Sequence, residues 1–228
     1  DLSWKRLIAI ARGIDPDPMR NRLRSSREQP ITPETKADLR SLAQSMDVDR
    51  QHPSTLLSVS FSLSRTKQRE VNVRFLRRAQ AAFPDDFWLN FVLAENCRTG
   101  EDHAGAVRFW TAAVAVRPSS SAAHNNLGKS LLNQNELGEA IACFRKAIKL
   151  DPEAALFRFN LATALYGKGN WEQVISTCKT AIELDPKNAA THRMLGNAYH
   201  RQGDLDEAIA WLDKSLELDA TSALTIRD

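Results

Sequence analysis

The sequence predicts an all-α protein in which helix–turn–helix repeats stack behind a short helical cap. Three observations carry this. Pro84, Pro118, Pro152 and Pro186 stand 34 residues apart. Between successive prolines lie two amphipathic patterns of helical period, split by a polar turn, most plainly in SAAHNNLGKSLLNQNELGEAIACFRKAIKLDPEA at 121–154. The same small and large residue types then recur at fixed registers over about 170 residues with no insertion. A helix pair of this size cannot bury its apolar face alone and must stack on its neighbours.

The cap comes first, over residues 1–52. Trp4, Leu7, Ile8 and Ala11 follow the i, i+3, i+4, i+7 spacing of one helix face, with Lys5, Arg6 and Arg12 beside them and Gly13 as a stop. The DPDP at 15–18 turns into a second helix, with Asp17 as its N-cap and Pro18 at its first position. That helix carries Arg20, Arg22, Arg24 and Arg27. A third helix starts at Thr32 and runs through Leu39, Leu42 and Ala43 to about Met46. Residues 1–52 hold ten basic and eight acidic side chains, so this arginine run sits in a nearly balanced field.

The prolines divide the remainder (53–228) into five repeats, 53–86, 87–120, 121–154, 155–188 and 189–222, followed by the stub of a further helix at 223–228. In the first helix of each repeat a small residue recurs as Ser60, Ala94, Gly128, Ala162 and Gly196, each preceded by Val59, Leu93, Leu127, Leu161 or Leu195. In the second helix the small position reads Asn72, Ala106, Ala140, Val174 and Ala208. The bulky residue four places on is Leu76, Trp110, Phe144, Cys178 and Leu212, and a second small site gives Ala79, Ala113, Ala147, Ala181 and Ser215. Small residues in register let helices approach closely while large ones fill the space between them. Asn72 breaks this pattern, and GEDHAGA at 100–106 lacks the usual Gly-Asp turn, so the first two repeats are expected to pack less regularly.

These residues carry a resemblance to the tetratricopeptide repeat family. AHNNLG, LGEAIACFRKAIKLDP and LDEAIAWLDKSLELD are close to the family's pattern, with His124, Arg158 and His192 at its tryptophan site. The resemblance implies a right-handed superhelical solenoid whose first helices line a concave face where partners bind. The chaperone-tail clamp of some members is not expected, because Ala190 and Met194 stand where its last basic pair belongs. A narrower likeness covers residues 15–131. DPDPMRNRLR, FLRRAQAAFPDDFWLNFVLA and RPSSSAAHNNLGKSL resemble the C-terminal region of large bacterial serine/threonine protein kinases of the planctomycete type. It implies a kinase domain upstream in the parent protein, outside this chain.

Composition narrows the function classes. A net charge of +3 gives no general case for nucleic acid or an anionic membrane. Residues 53–120 hold nine basic against six acidic side chains, and 121–228 hold twelve against fourteen. The arginines at 20–27 with Arg74, Arg77 and Arg78 therefore extend into no continuous basic stripe. Three cysteines without a CxxC pair fit a reducing, cytoplasmic setting, with Cys97, Cys143 and Cys178 read as core residues. No segment approaches the ~20 apolar residues of a membrane span, and the N-terminus lacks the apolar core of a secretory signal. The chain begins at Asp1 without a methionine and reads as a fragment, with any targeting or catalytic segment expected upstream.

No Gly-rich phosphate loop, HRD or DFG is present, so no catalytic residue is assigned. His192 and His200 are eight residues apart, without the i, i+3 or i+4 spacing of a helical metal pair, and no metal or cofactor is expected. What remains is the inward face of the first helices. By register it comprises Asn125, Asn126, Lys129, Leu132 and Asn133 in the third repeat, Phe159, Asn160, Thr163 and Tyr166 in the fourth, and Arg193, Met194, Asn197, His200 and Arg201 in the fifth. Asn126 and Asn160 share a register, and an amide there offers an extended peptide backbone both a donor and an acceptor. Lys129, Arg193 and Arg201 favour a carboxylate-bearing segment. The alternative is an exposed face kept soluble by polar filler.

The expected function is a non-catalytic protein–protein interaction scaffold. Its rivals are a nucleic-acid-binding solenoid and a self-assembling spacer. Leu216, Leu224 and Ile226 point to apolar surface at the C-terminal end and to end-to-end self-association.

Overall fold

The starts of the helices are written in their capping residues. Thr32 accepts a hydrogen bond from Thr35 N and Pro33 takes the first helical position, which begins α1 (Pro33–Ser45). Asp86, Ser120 and Asn188, 34 residues or multiples of it apart, each accept a backbone N–H three residues on and begin α4 (Phe87–Thr99), α6 (Ser121–Asn133) and α10 (Ala189–Gln202). The computed structural model describes residues 30–225 together with Asn21 and Leu23. The other helices are α2 (Pro53–Arg65), α3 (Arg69–Ala82), α5 (His103–Val116), α7 (Leu137–Leu150), α8 (Ala155–Gly167), α9 (Trp171–Leu184) and α11 (Leu205–Thr225). A single 3₁₀ turn, Val48–Arg50, joins α1 to α2, and among the described residues there is no strand. The helices expected over 1–13 and from Pro18 onward lie outside the described residues, apart from Asn21 and Leu23, which are helical.

The turn inside each repeat is closed by one residue in the left-handed region. Lys67, Glu101, Asn135, Gly169 and Gly203 have φ of 58, 61, 62, 72 and 94° and stand 34 residues apart. The missing glycine of the second repeat therefore changes no turn geometry. Gly100 itself keeps φ −92°, and Glu101 takes the strained conformation instead.

The chain divides into two compact halves, residues 1–116 and 117–228. The division falls after the second helix of the second repeat. In the first half α1 packs on α2 and α3. It buries Leu39, Leu42 and Ala43, and Arg78 of α3 donates to the carbonyls of Ala43, Gln44 and Met46 at 3.0, 3.3 and 2.6 Å, holding the end of α1 down. The irregular Asn72 is fully buried and donates to Ser64 Oγ and Asn96 Oδ1, so the first repeat keeps its packing by spending a polar network on it.

In the second half α6 pairs with α7, α8 with α9 and α10 with α11, and each second helix packs against the next first helix. The core registers behave as spaced: Ala140, Phe144, Val174, Cys178 and Ala162 are fully buried. Gly128 is needed for close approach, since a Cβ there would lie 2.7 Å from Phe144 Cε1. α11 differs from expectation. It continues without a break from Leu205 to Thr225, so residues 223–225 extend the last helix instead of opening another. Ala220 stands where the earlier repeats have their helix-stopping proline, and nothing terminates the helix there.

Candidate functional site

α6, α8 and α10 are the first helices of repeats three to five, and α8 touches both of the others. The sequence-predicted groove residues fall on them in three groups. Asn160 and Asn125 are buried and joined, Asn160 Nδ2 donating to Asn125 Oδ1 at 2.8 Å. Asn125 Nδ2 in turn donates to Asn126 Oδ1 at 3.3 Å. The amides thus form a relay between repeats, with half-buried Asn126 as its outer member. Second, Tyr166 and Arg201 meet across α8 and α10 through Arg201 Nε and the phenol oxygen at 3.4 Å, and Thr163 Oγ1 faces Met194 Sδ at 4.0 Å. Lys129, Asn133, Phe159, Arg193 and Asn197 remain uncommitted, the first and third half-buried and the rest exposed.

The charge pattern of these three helices is one-sided. None carries an aspartate or glutamate, whereas they hold Lys129, Arg158, Arg193 and Arg201. Arg158 donates to the carbonyl of Pro152 and is held at the loop. That leaves Lys129, Arg193 and Arg201 as cations with no ion pair among the described residues. The carboxylates of this half stand on the second helices and turns, as with Glu139, Glu172 and Asp206.

Other candidates are absorbed by the structure. Arg77 pairs with Asp102 at 2.9 Å and Arg78 is spent on the end of α1, so two of the three arginines at 74–78 serve the fold. Cys97 and Cys178 are buried and Cys143 half-buried, and all three are free thiols. Burial, with Asp102 nearby, pushes the Cys97 thiol up to about 11; burial, with Glu139, takes Cys143 to about 11, and burial alone takes Cys178 to about 12. These are poor nucleophiles at neutral pH. Among the described residues no group of three His, Cys, Asp or Glu side chains is placed to hold a metal, and no helix is long and apolar enough to cross a membrane.

Register reading missed two features of the first half. Trp88 on α4 is 50% exposed, and Phe61 on α2 is 55% exposed. A recess of about 520 Å³ between α3 and α4 is lined by Arg69, Glu70, Arg74, Asn96, Cys97 and Asp102. At the register where α7 and α9 begin with Leu137 and Trp171, α3 begins with Arg69, one of the residues lining the recess. The signal was the charged start of α3 against the apolar start of its counterparts.

Capped helix pairs, a left-handed residue every 34 positions and an uncommitted inner face define a helical-repeat scaffold, a class that works by binding other proteins. The chain belongs to the tetratricopeptide repeat family. The family's model, described as tetratricopeptide repeat, matches residues 92–155, 125–188 and 159–223, more than half of the chain in all. Among curated proteins none matches the sequence. Solved structures share the fold. A crystal structure of MamA superposes with a TM-score of 0.70 at 20% identity over 72% of this chain and 96% of that one. MamA from Desulfovibrio magneticus RS-1, residues 41 to the end, gives 0.70 at 21% over 77% and 97%. YrrB, described as a TPR protein with an unusual peptide-binding site, gives 0.67 at 17% over 87% and 98%.

Proposed function

We propose that this chain is a non-catalytic scaffold whose α6–α8–α10 face binds an extended, acidic segment of a partner protein. The observation that carries the reading is the absence of any carboxylate on those three helices beside the unpaired Lys129, Arg193 and Arg201. Asn126 and Asn197 add amides suited to a peptide backbone, and Phe159 and Tyr166 add half-buried rings between the charges. The peptide-binding description of YrrB supports the choice of ligand class at the level of the fold. The phrases at 15–131 support attachment of the array to a serine/threonine kinase, for which it recruits substrates or partners, and the unpaired thiols support a reducing, cytoplasmic setting. Exposed Leu205, Ile209 and Leu216 on α11 support self-association through that end.

The test is a titration of a fluorescent peptide rich in aspartate and glutamate against the wild type and a Lys129→Glu, Arg193→Glu, Arg201→Glu variant. Reversal of two exposed charges and one half-buried charge predicts at least roughly tenfold weaker binding, and added salt should weaken the wild-type complex. Equal affinities for the two proteins would sink the reading.

A further inference from the structure

Each second helix of the second half has an outward row that the next first helix covers. On α7 that row includes Leu137, Ile141 and Ile148, and on α9 Trp171, Ile175 and Ile182, all buried or half-buried. The same registers on α11 are Leu205, Ile209 and Leu216, which are 56, 59 and 66% exposed. Among the described residues nothing packs on this row, and α11 rests chiefly on α10. With half-buried Leu212 the row reads i, i+4, i+7, i+11, the spacing of a helix-pairing seam.

Charge decides what fits it. The described part of α11 carries Asp206, Glu207, Asp213, Glu217 and Asp219 against Lys214 alone. Two α11 helices therefore repel each other, and the complement is a basic amphipathic helix. The sequence predicts one at 1–13. Read as a helix, Trp4, Ile8 and Ala11 repeat the spacing of Leu205, Ile209 and Leu212, with Leu7 alongside. Lys5 and Arg12 are seven residues apart, as are Asp206 and Asp213. At about 100° per residue each charged pair lies about 80–100° to the same side of its own apolar row. Rows on the same side face each other when two helices run antiparallel, and diverge when they run parallel. Antiparallel is also how a second helix meets the next first helix within a repeat array.

We propose that α11 docks the 1–13 segment of a second copy of this chain, antiparallel, with Lys5 and Arg12 opposite the Asp206/Asp213 row. The contact is heterologous, joining one end of a copy to the other end of the next, and it builds open chains or rings. It does not rest on the groove reading, because none of these residues lies on α6, α8 or α10.

The experiment is sedimentation of the whole chain over a concentration series, with helicity checked by circular dichroism. The wild type should gain mass with concentration. Asp206→Lys with Asp213→Lys should weaken association roughly tenfold or more, and so should Lys5→Glu with Arg12→Glu. A mixture of the two variants should associate, because both ends of each are then complementary to the other protein. All four positions are charged and the two on α11 are exposed, so folding is expected to survive. A wild type that stays at single-chain mass throughout overturns the proposal. Undiminished association in either reversed protein does so too, and so does a mixture that associates no better than its components.

Discussion

Asn160→Ala tests the amide relay, and its size follows from the burial of the pair. Asn160 is 9% and Asn125 4% exposed, and their 2.8 Å bond is shielded from water. Truncating Asn160 removes the hydrogen bond and leaves Asn125 Oδ1 buried without this partner, which costs about 1–3 kcal/mol. Asn125→Ala leaves the Asn160 amide donor stranded and should cost a similar amount. The double variant loses the bond once and strands neither group. Its destabilisation should therefore fall short of the sum by about 0.5–3 kcal/mol, the range for residues in direct contact. Thermal unfolding of the four proteins by circular dichroism reads this. A loss of about 2 kcal/mol corresponds to roughly 4–8 °C for a chain of this length. Additivity within ~0.5 kcal/mol would refute the reasoning. The consequence for function is practical: an Asn160→Ala variant confounds binding with stability, whereas the exposed Arg193 and Arg201 and half-buried Lys129 do not carry that burden.

Two further outcomes follow from the backbone and the thiols. Lys67→Gly and Glu101→Gly relieve a left-handed conformation at φ 58 and 61°, and after the entropy of a freer unfolded chain each should add about 0.5–1 kcal/mol. No rise in melting temperature for either would show that these turns hold no strain. The Cys178 thiol is pushed up to about 12 by burial and ionises near about 8.5 in the unfolded chain, so its contribution to stability is intact below about pH 8.5 and is lost as pH rises toward 12. The stability gap between wild type and Cys178→Ala should therefore narrow from pH 8 to 10, and a constant gap would contradict it.

What the sequence determined by itself was everything that follows from local period and from a repeated register. The helix start at Thr32, the buried columns through Ala140 and Phe144, and the family all follow from spacing, because each is enforced between residues close in sequence or 34 apart. The inner face was legible in the same way, as a set of positions.

Only the tertiary structure decided how those positions are used. Asn125 and Asn160 occupy different registers, yet packing of α8 on α6 brings their amides together, so two residues counted as free for a ligand are engaged with each other. Arg78 is indistinguishable from Arg74 in sequence until the end of α1 is seen within its reach. The left-handed turn fell on Glu101 instead of Gly100 because Glu101 holds the closing position of the 34-residue turn, and that geometry outweighed the residue's own preference. The bare row on α11 became visible only once the equivalent rows on α7 and α9 were seen covered, since exposure belongs to neighbours and not to the residues themselves.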